Sequence, residues 1–107
     1  MKIRILSIEI GVKKEKDTLV DKAKGEKSFT LYFFKTAALA KTGIGLSEVN
    51  RGDCLLLAPD SPHYLRSKDI EWENDVISFK GSDTTRLISQ IGLDCDTIYS
   101  PVQTYVI

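Results

Sequence analysis

The sequence contains a single histidine, and this scarcity limits the chemistry that the chain can carry out. His63 alone cannot supply a multi-histidine metal centre, and neither an HExxH nor a CxxC motif occurs. A serine nucleophile would need the same histidine as its base, yet there is no GxSxG elbow. Gly43-Ile44-Gly45 is a lone GxG without the later glycine of a nucleotide-binding loop. The sequence therefore predicts no catalytic residue, no metal site and no cofactor.

The sequence also lacks an excess of one charge and any long apolar run. Fifteen basic and fifteen acidic residues cancel, which argues against direct binding of nucleic acid by this chain. No apolar run approaches the roughly 20 residues of a membrane span, and the charged start at Met1 to Arg4 is unlike a signal peptide. We therefore expect a cytoplasmic protein with no membrane partner. Cys54 and Cys95, far apart in sequence, are interpreted as two thiols, with a disulfide or a metal site as the alternative.

The stretch from Gly52 to Tyr64 is the clearest structural signal in the chain. Gly52-Asp53 follows Asn50 and predicts a tight turn. The apolar run Cys54 to Ala58 has the length of a strand that is buried on both faces. Pro59 and Pro62 end that run, because proline has no N–H to donate to a ladder. A returning strand is then expected to begin at His63.

Similar short strands separated by turn signals recur along the chain and favour one all-β domain over residues 1–107. A strand over Lys2 to Ile10 changes the phase of its apolar residues at Ile5-Leu6. Either a bulge there or burial on both faces would explain the change, and Gly11 is expected to end the strand. The other predicted elements are strands over Ser28–Lys35, Cys54–Ala58, His63–Ser67 and Ile70–Phe79, a hairpin or bend over 36–45, and an extended segment over 94–99. Residues 46–49 lead into the stretch that begins at Gly52.

One helix is predicted, over residues 82–92. Ser82 or Asp83 supplies the N-cap and Gly92 the stop, while Leu87, Ile88 and Ile91 form one apolar stripe. The helix is short, so docking of the stripe on the sheet has to stabilise it.

Two further segments, one rich in charge and one at the end of the sequence, have no assigned strand or helix over their full length. Residues 12–27 form either a mobile charged loop that folds over a ligand or a solvated connection with one short strand near Thr18 to Val20. Residues 100–107 are expected to begin a linker to a further domain.

The spacing of Gly52-Asp53, Pro59 and His63 resembles the second motif of the cupin superfamily of small jelly-roll barrels. Trp72 with Phe79-x-Gly81 behind it, and a helix ending at Ile91-Gly92-Leu93, is similar to the N-terminal effector-binding domain of AraC-type transcription regulators. This resemblance implies a cupin-like antiparallel jelly roll that senses a small effector, often a sugar, and forms a homodimer. It also implies that DNA is bound only through a separate C-terminal helix-turn-helix domain, which this chain lacks.

The resemblance also implies which side chains would contact the effector. Four positions that bind sugar in the arabinose-responsive type correspond to Lys35, Leu65, Asn74 and Val76, and none is identical. Strand alternation would turn these residues inward together with three others of the predicted set. An aromatic ring beside an amide, as at Trp72 and Asn74, suits the C–H faces and hydroxyls of a sugar. The predicted ligand-binding residues are Phe33, Lys35, His63, Leu65, Trp72, Asn74 and Val76.

Two other functions remain open on the sequence alone. One is a metal-free cupin enzyme, such as an isomerase or epimerase, with His63 as acid–base. The other is a stand-alone carbohydrate-binding or structural module that has no partner domain.

Overall fold

A computed structural model describes residues 2–100, which form two antiparallel β-sheets and one short helix. The elements, in chain order, are β1 (Arg4–Lys14), β2 (Leu19–Lys22), β3 (Phe29–Phe34), β4 (Ala38–Thr42), β5 (Gly45–Val49), β6 (Cys54–Leu57), β7 (His63–Arg66), β8 (Trp72–Lys80), α1 (Thr84–Ile91) and β9 (Ile98–Tyr99). The prediction of an all-β fold with one short helix is thus confirmed. Most of the predicted linker, residues 101–107, lies outside the described residues.

The two sheets pack face to face around one apolar core. The larger sheet has the order β1-β8-β3-β6-β9 and the smaller one β2-β7-β4-β5. Both sheets contribute to the core, which consists of Tyr32, Phe34, Leu55, Leu57 and Trp72 from the larger sheet and Ala38, Ala40, Val49 and Leu65 from the smaller. This is the layer arrangement of a β-sandwich, while closure into a jelly roll stays a prediction.

The pairing of β3 with β8 decides which aromatic side chains face the core. Tyr32 lies opposite Val76 and Phe34 lies opposite Asn74, and residues opposite each other in an antiparallel pair share a face. Phe33 lies opposite Asp75 and is 42% exposed. Lys35, also exposed, places its ammonium 3.4 Å from the Asp75 carboxylate.

The expected inward orientation of Phe33 and Lys35 is therefore wrong. Both faces of β3 are apolar, so alternation alone could not tell the inner face from the outer one. The register with β8 shows that the face with Tyr32 and Phe34 is the inner one.

β1 contains the bulge and is not buried on both faces, since residues 4–10 are exposed, and it runs further than expected. Its register with β8 shifts between Ile5 and Ser7 and again between Glu9 and Val12. Gly11, predicted to end the strand, lies inside the second irregularity with φ 65°. The backbone N–H of Gly11 donates a hydrogen bond to the Asp75 carboxylate at 2.7 Å. Pairing with β8 resumes at Val12, and the strand continues to Lys14.

The segment 12–27 contains the end of β1 and the strand β2. The short strand anticipated near Thr18 to Val20 is present at Leu19–Lys22, where it pairs with β7. The expected short strand is therefore confirmed, whereas folding of the segment over a ligand stays a prediction.

The helix ends as its sequence predicts. Gly92 has φ 79°, and its N–H and that of Leu93 reach back to carbonyls of the last turn. Ile88 is buried and Leu87 half-buried, whereas Ile91 is 58% exposed. The stripe therefore docks at one end and is open to solvent at the other. No helix among residues 2–100 is long and apolar enough to cross a membrane.

Candidate functional site: a polar cavity between the sheets

A cavity of about 490 Å³ opens between the two sheets beside the apolar core, to which its lining residue Tyr32 also belongs. We call it the polar cavity. β1, β3 and β8 form one wall, and β2, β7 and the connection after β2 form the other. Its volume lies within the range typical of small-molecule sites.

Tyr32 and His63 join the two walls at the base of the polar cavity. The phenolic oxygen of Tyr32 lies 2.9 Å from Nδ1 of His63, and their rings meet edge to face. Burial raises the pKa of Tyr32 to about 12. Burial, helped by the Lys22 ammonium, lowers the pKa of His63 from its usual 6.5. At neutral pH the phenol is therefore protonated and the imidazole is uncharged.

Two buried polar atoms of residues that line the polar cavity have no hydrogen-bond partner among residues 2–100. They are Nε2 of His63 and Oγ1 of Thr30, in side chains only 1% and 2% exposed. Nε2 is a donor if Tyr32 donates to Nδ1, and an acceptor in the other tautomer. A buried polar group without a partner costs about 1–3 kcal/mol. A ligand with hydroxyl groups could satisfy both atoms, because a hydroxyl donates and accepts.

Lys14 and Asn74 form a second polar group of the polar cavity, and the Lys14 ammonium also contacts the Trp72 ring. The Lys14 ammonium donates to Oδ1 of Asn74 at 2.8 Å and lies 4.8 Å from the centre of the Trp72 ring. Burial lowers the pKa of Lys14, against the opposing effect of Glu9. Asn74 is fully buried, and its Nδ2 donates to the Asp75 carbonyl at 3.2 Å. The sole tryptophan therefore lies in contact with a cation of the cavity wall.

The charges around the polar cavity balance. Lys14 and Lys22 are matched by Glu9 and Glu26, and Lys22 forms an ion pair with Glu26 at the rim. That pair, through a hydrogen bond first and charge second, lowers the pKa of Glu26. A wall with two charges of each sign suits an uncharged polar ligand better than a strongly anionic one.

Turns fixed by the sequence place His63 at this site. The Pro59–Pro62 segment turns with Asp60 at φ 69°, and the Ser61 N–H donates to the Ala58 carbonyl at 3.1 Å. The Asp60 N–H in turn donates to the Glu26 carbonyl at 2.7 Å. The turn before His63 is thus bound to the connection that follows β2.

The structure brings together only part of the predicted ligand set. His63, Asn74 and Val76 line the polar cavity. Trp72 and Leu65 face inward, as expected, but belong to the apolar core. Phe33 and Lys35 lie on the outer side of the larger sheet, beside a different depression.

Sequence reasoning missed Lys14, Tyr32 and Thr30. Lys14 belongs to residues 12–27, for which the sequence leaves a mobile loop or a solvated connection open. Its hydrogen bond with Asn74 joins positions 60 residues apart, so no local pattern indicates it. The expected inward orientation of Phe33 and Lys35 places Thr30, Tyr32 and Phe34 on the outer face of β3. The sequence shows that these three residues share a face, but only the register with β8 shows that this face is the inner one.

Another surface depression, of about 600 Å³, lies between the first residues and the turn after β8. Its lining residues, Lys2 to Arg4 and Lys80 to Ser82, include none of the buried side-chain atoms that lack a partner. The polar cavity is therefore the better candidate for a binding site. Within residues 2–100 there is no cluster of three or more histidine, cysteine or acidic side chains with metal-binding geometry. Cys54 and Cys95 are free thiols, and burial raises the pKa of each.

Comparison with protein-family models finds none that matches this chain, and no curated protein matches it.

Proposed function

We propose that this chain is the ligand-sensing domain of an AraC-type transcription regulator and that it holds a small, polyhydroxylated, sugar-like effector in the polar cavity. The observation that carries the proposal is the pair of buried, unpartnered atoms, His63 Nε2 and Thr30 Oγ1, in two residues that line one cavity. Folding leaves both unsatisfied at a cost, and an effector with hydroxyl groups relieves that cost.

The balanced charges narrow the class of effector. A neutral sugar or polyol can exchange hydrogen bonds with His63, Thr30 and Asn74 without adding a net charge to a half-buried site. A sugar acid would have to compete with Glu9 and Glu26 for Lys14 and Lys22. We therefore expect neutral sugars to bind more tightly than their acids.

Effector binding would act by a population shift. A ligand that touches β3 and β8 on one side and β2 and β7 on the other stabilises the arrangement in which the two walls are held together. In a regulator with two subunits, that change would alter how the attached helix-turn-helix domains are presented to DNA. This domain itself would bind the effector and a second subunit, and would leave the DNA contact to the other domain.

Titration with a panel of neutral sugars, polyols and sugar acids tests the proposal. Trp72 is the only tryptophan, so its fluorescence reports displacement of the Lys14 ammonium from its ring. A saturable fluorescence change together with a raised melting temperature is expected for at least one neutral compound. The absence of any response across the panel would contradict the effector class.

A further inference from the structure

β1 is the longest strand of the described chain and lies at an edge of the larger sheet. Its first seven residues, 4–10, are all exposed. Four of them are large and apolar, with exposed fractions between 45% and 67%, namely Ile5, Leu6, Ile8 and Ile10. Within residues 2–100, its only strand neighbour is β8. A long apolar edge with free backbone groups is a template for pairing with another strand.

The bulge gives this edge a symmetric pattern of faces. Ile5 and Ile8 lie opposite Phe79 and Ile77 of β8 and therefore share the outer face of the sheet. Arg4, Ser7 and Glu9 lie opposite Lys80, Ser78 and Val76, on the face that bears the polar cavity, and Leu6 lines that cavity. From residue 4 to residue 9 the faces run inner, outer, inner, inner, outer, inner. The pattern is the same in both directions.

We propose that β1 pairs with β1 of a second copy of this chain, antiparallel and about a two-fold axis between Leu6 and Ser7. In this register Arg4 lies opposite Glu9 of the second copy, and Ile5 lies opposite Ile8 of the second copy. Leu6 lies opposite Ser7 of the second copy. Each pair shares a face, so the two-fold operation places both ion pairs on the inner side and both isoleucine pairs on the outer side.

Charge complementarity selects this occupant and this register. Arg4 and Glu9 are the only charged residues between positions 4 and 9, and the axis sets each against its opposite in the other copy. Facing charges of opposite sign stabilise a strand pair and like charges destabilise it. The bulge also matches itself, because its two residues, Leu6 and Ser7, lie opposite the same two residues of the second copy. An isologous contact of this kind closes as a dimer and does not propagate.

This interface adjoins the polar cavity. Leu6, Ser7 and Glu9 belong both to the cavity lining and to the paired edge. A ligand in the cavity would therefore lie beside the dimer contact. Pairing is measured by sedimentation without ligand and effector binding by the Trp72 titration, so the two proposals can fail separately.

Sedimentation velocity over a concentration series from micromolar to millimolar tests the pairing. The wild-type chain is expected to dimerise. Arg4→Glu and Glu9→Arg each place like charges opposite one another twice in a homodimer, and each is expected to raise the dissociation constant at least ~10-fold. An equimolar mixture of the two variants restores both opposite-charge pairs and is expected to form a 1:1 heterodimer.

Matched substitutions distinguish the loss of a contact at the β1 edge from a general effect of added charge. Ile8→Lys is expected to dissociate the dimer, whereas Ile44→Lys, at a site 94% exposed in the β4–β5 turn, is not. Both side chains are exposed, and circular dichroism checks that each variant is folded. A monomeric wild type, or a dimer that survives Arg4→Glu and Ile8→Lys, would overturn the proposal. Variants that dissociate but do not recombine when mixed would overturn the register.

Discussion

The phenolic oxygen of Tyr32 and Nδ1 of His63, 2.9 Å apart, form a hydrogen bond between the two sheets of the sandwich. Tyr32 belongs to β3 of the larger sheet and His63 to β7 of the smaller one. Because the bond uses Nδ1, it leaves Nε2 as the atom of this histidine that a ligand can satisfy. The same contact thus connects the two walls of the polar cavity and orients the imidazole ring of His63.

The sole histidine should make the stability of the fold sensitive to mild acid. The pKa of His63 is lowered in the folded state, chiefly by burial, so the unfolded chain binds a proton first as the pH falls. The free energy of unfolding should therefore decrease as the pH falls below about 6.5. Denaturant unfolding at pH 7.5 and 5.5 measures this decrease, and proton NMR gives the imidazole titration directly, because one histidine yields one set of signals. An imidazole midpoint at or above 6.5 in the folded protein would contradict the prediction.

Thr30→Val should separate binding from stability. Removing a buried hydroxyl that has no partner in the protein should leave the free energy of unfolding unchanged or raise it by up to about 1 kcal/mol. Affinity for the effector should fall about tenfold, since a hydrogen bond to the ligand is lost. Thr84→Val is the matched control, because Thr84 also has a buried, unpartnered Oγ1 but does not line the polar cavity. Equal losses of affinity in the two variants would rule out a ligand contact at Thr30.

The two neighbouring aromatics Phe33 and Phe34 provide a test of which face of β3 is inside. Phe34 is 1% exposed and belongs to the apolar core, so Phe34→Ala should lower the free energy of unfolding by about 3–5 kcal/mol. Phe33→Ala should cost much less, roughly 1 kcal/mol, because the side chain is partly in solvent already. Chemical denaturation of both variants measures the difference. Comparable losses would show that the orientation of β3 is wrong.

Gly25 should tolerate substitution less well than Gly92, although both have positive φ, at 64° and 79°. A Cβ at Gly25 would lie 2.1 Å from the backbone oxygen of Ser61, whereas a Cβ at Gly92 meets nothing within 4 Å. Gly92→Ala should therefore cost about 1 kcal/mol from backbone strain alone. Gly25→Ala should cost more and should also weaken effector binding, because it displaces the Ser61 turn from the connection after β2. Melting temperatures and the effector titration measure both effects, and a Gly25→Ala variant that matches Gly92→Ala in both would contradict this account.

The amino-acid sequence by itself determined the local elements. Turn residues such as Gly52-Asp53 and Pro59, the alternation along β8, and the Gly92 stop of the helix each specify backbone geometry within a few residues. The change of phase at Ile5-Leu6 is also a local pattern, and it indicated a bulge as one of two explanations. Such features are fixed by steric limits on φ and ψ and by the period of the side chains.

Tertiary structure alone decided which faces meet and which polar atoms lie together. β3 is apolar on both sides, so only its register with β8 places Tyr32 inside and Phe33 outside. Likewise, the contact of Lys14 with Asn74 depends on the alignment of β1 with β8. The sequence of a strand determines which of its residues share a face. It does not determine the register with the partner strand, and a shift of one residue in that register exchanges the two faces. The polar cavity arises from that register.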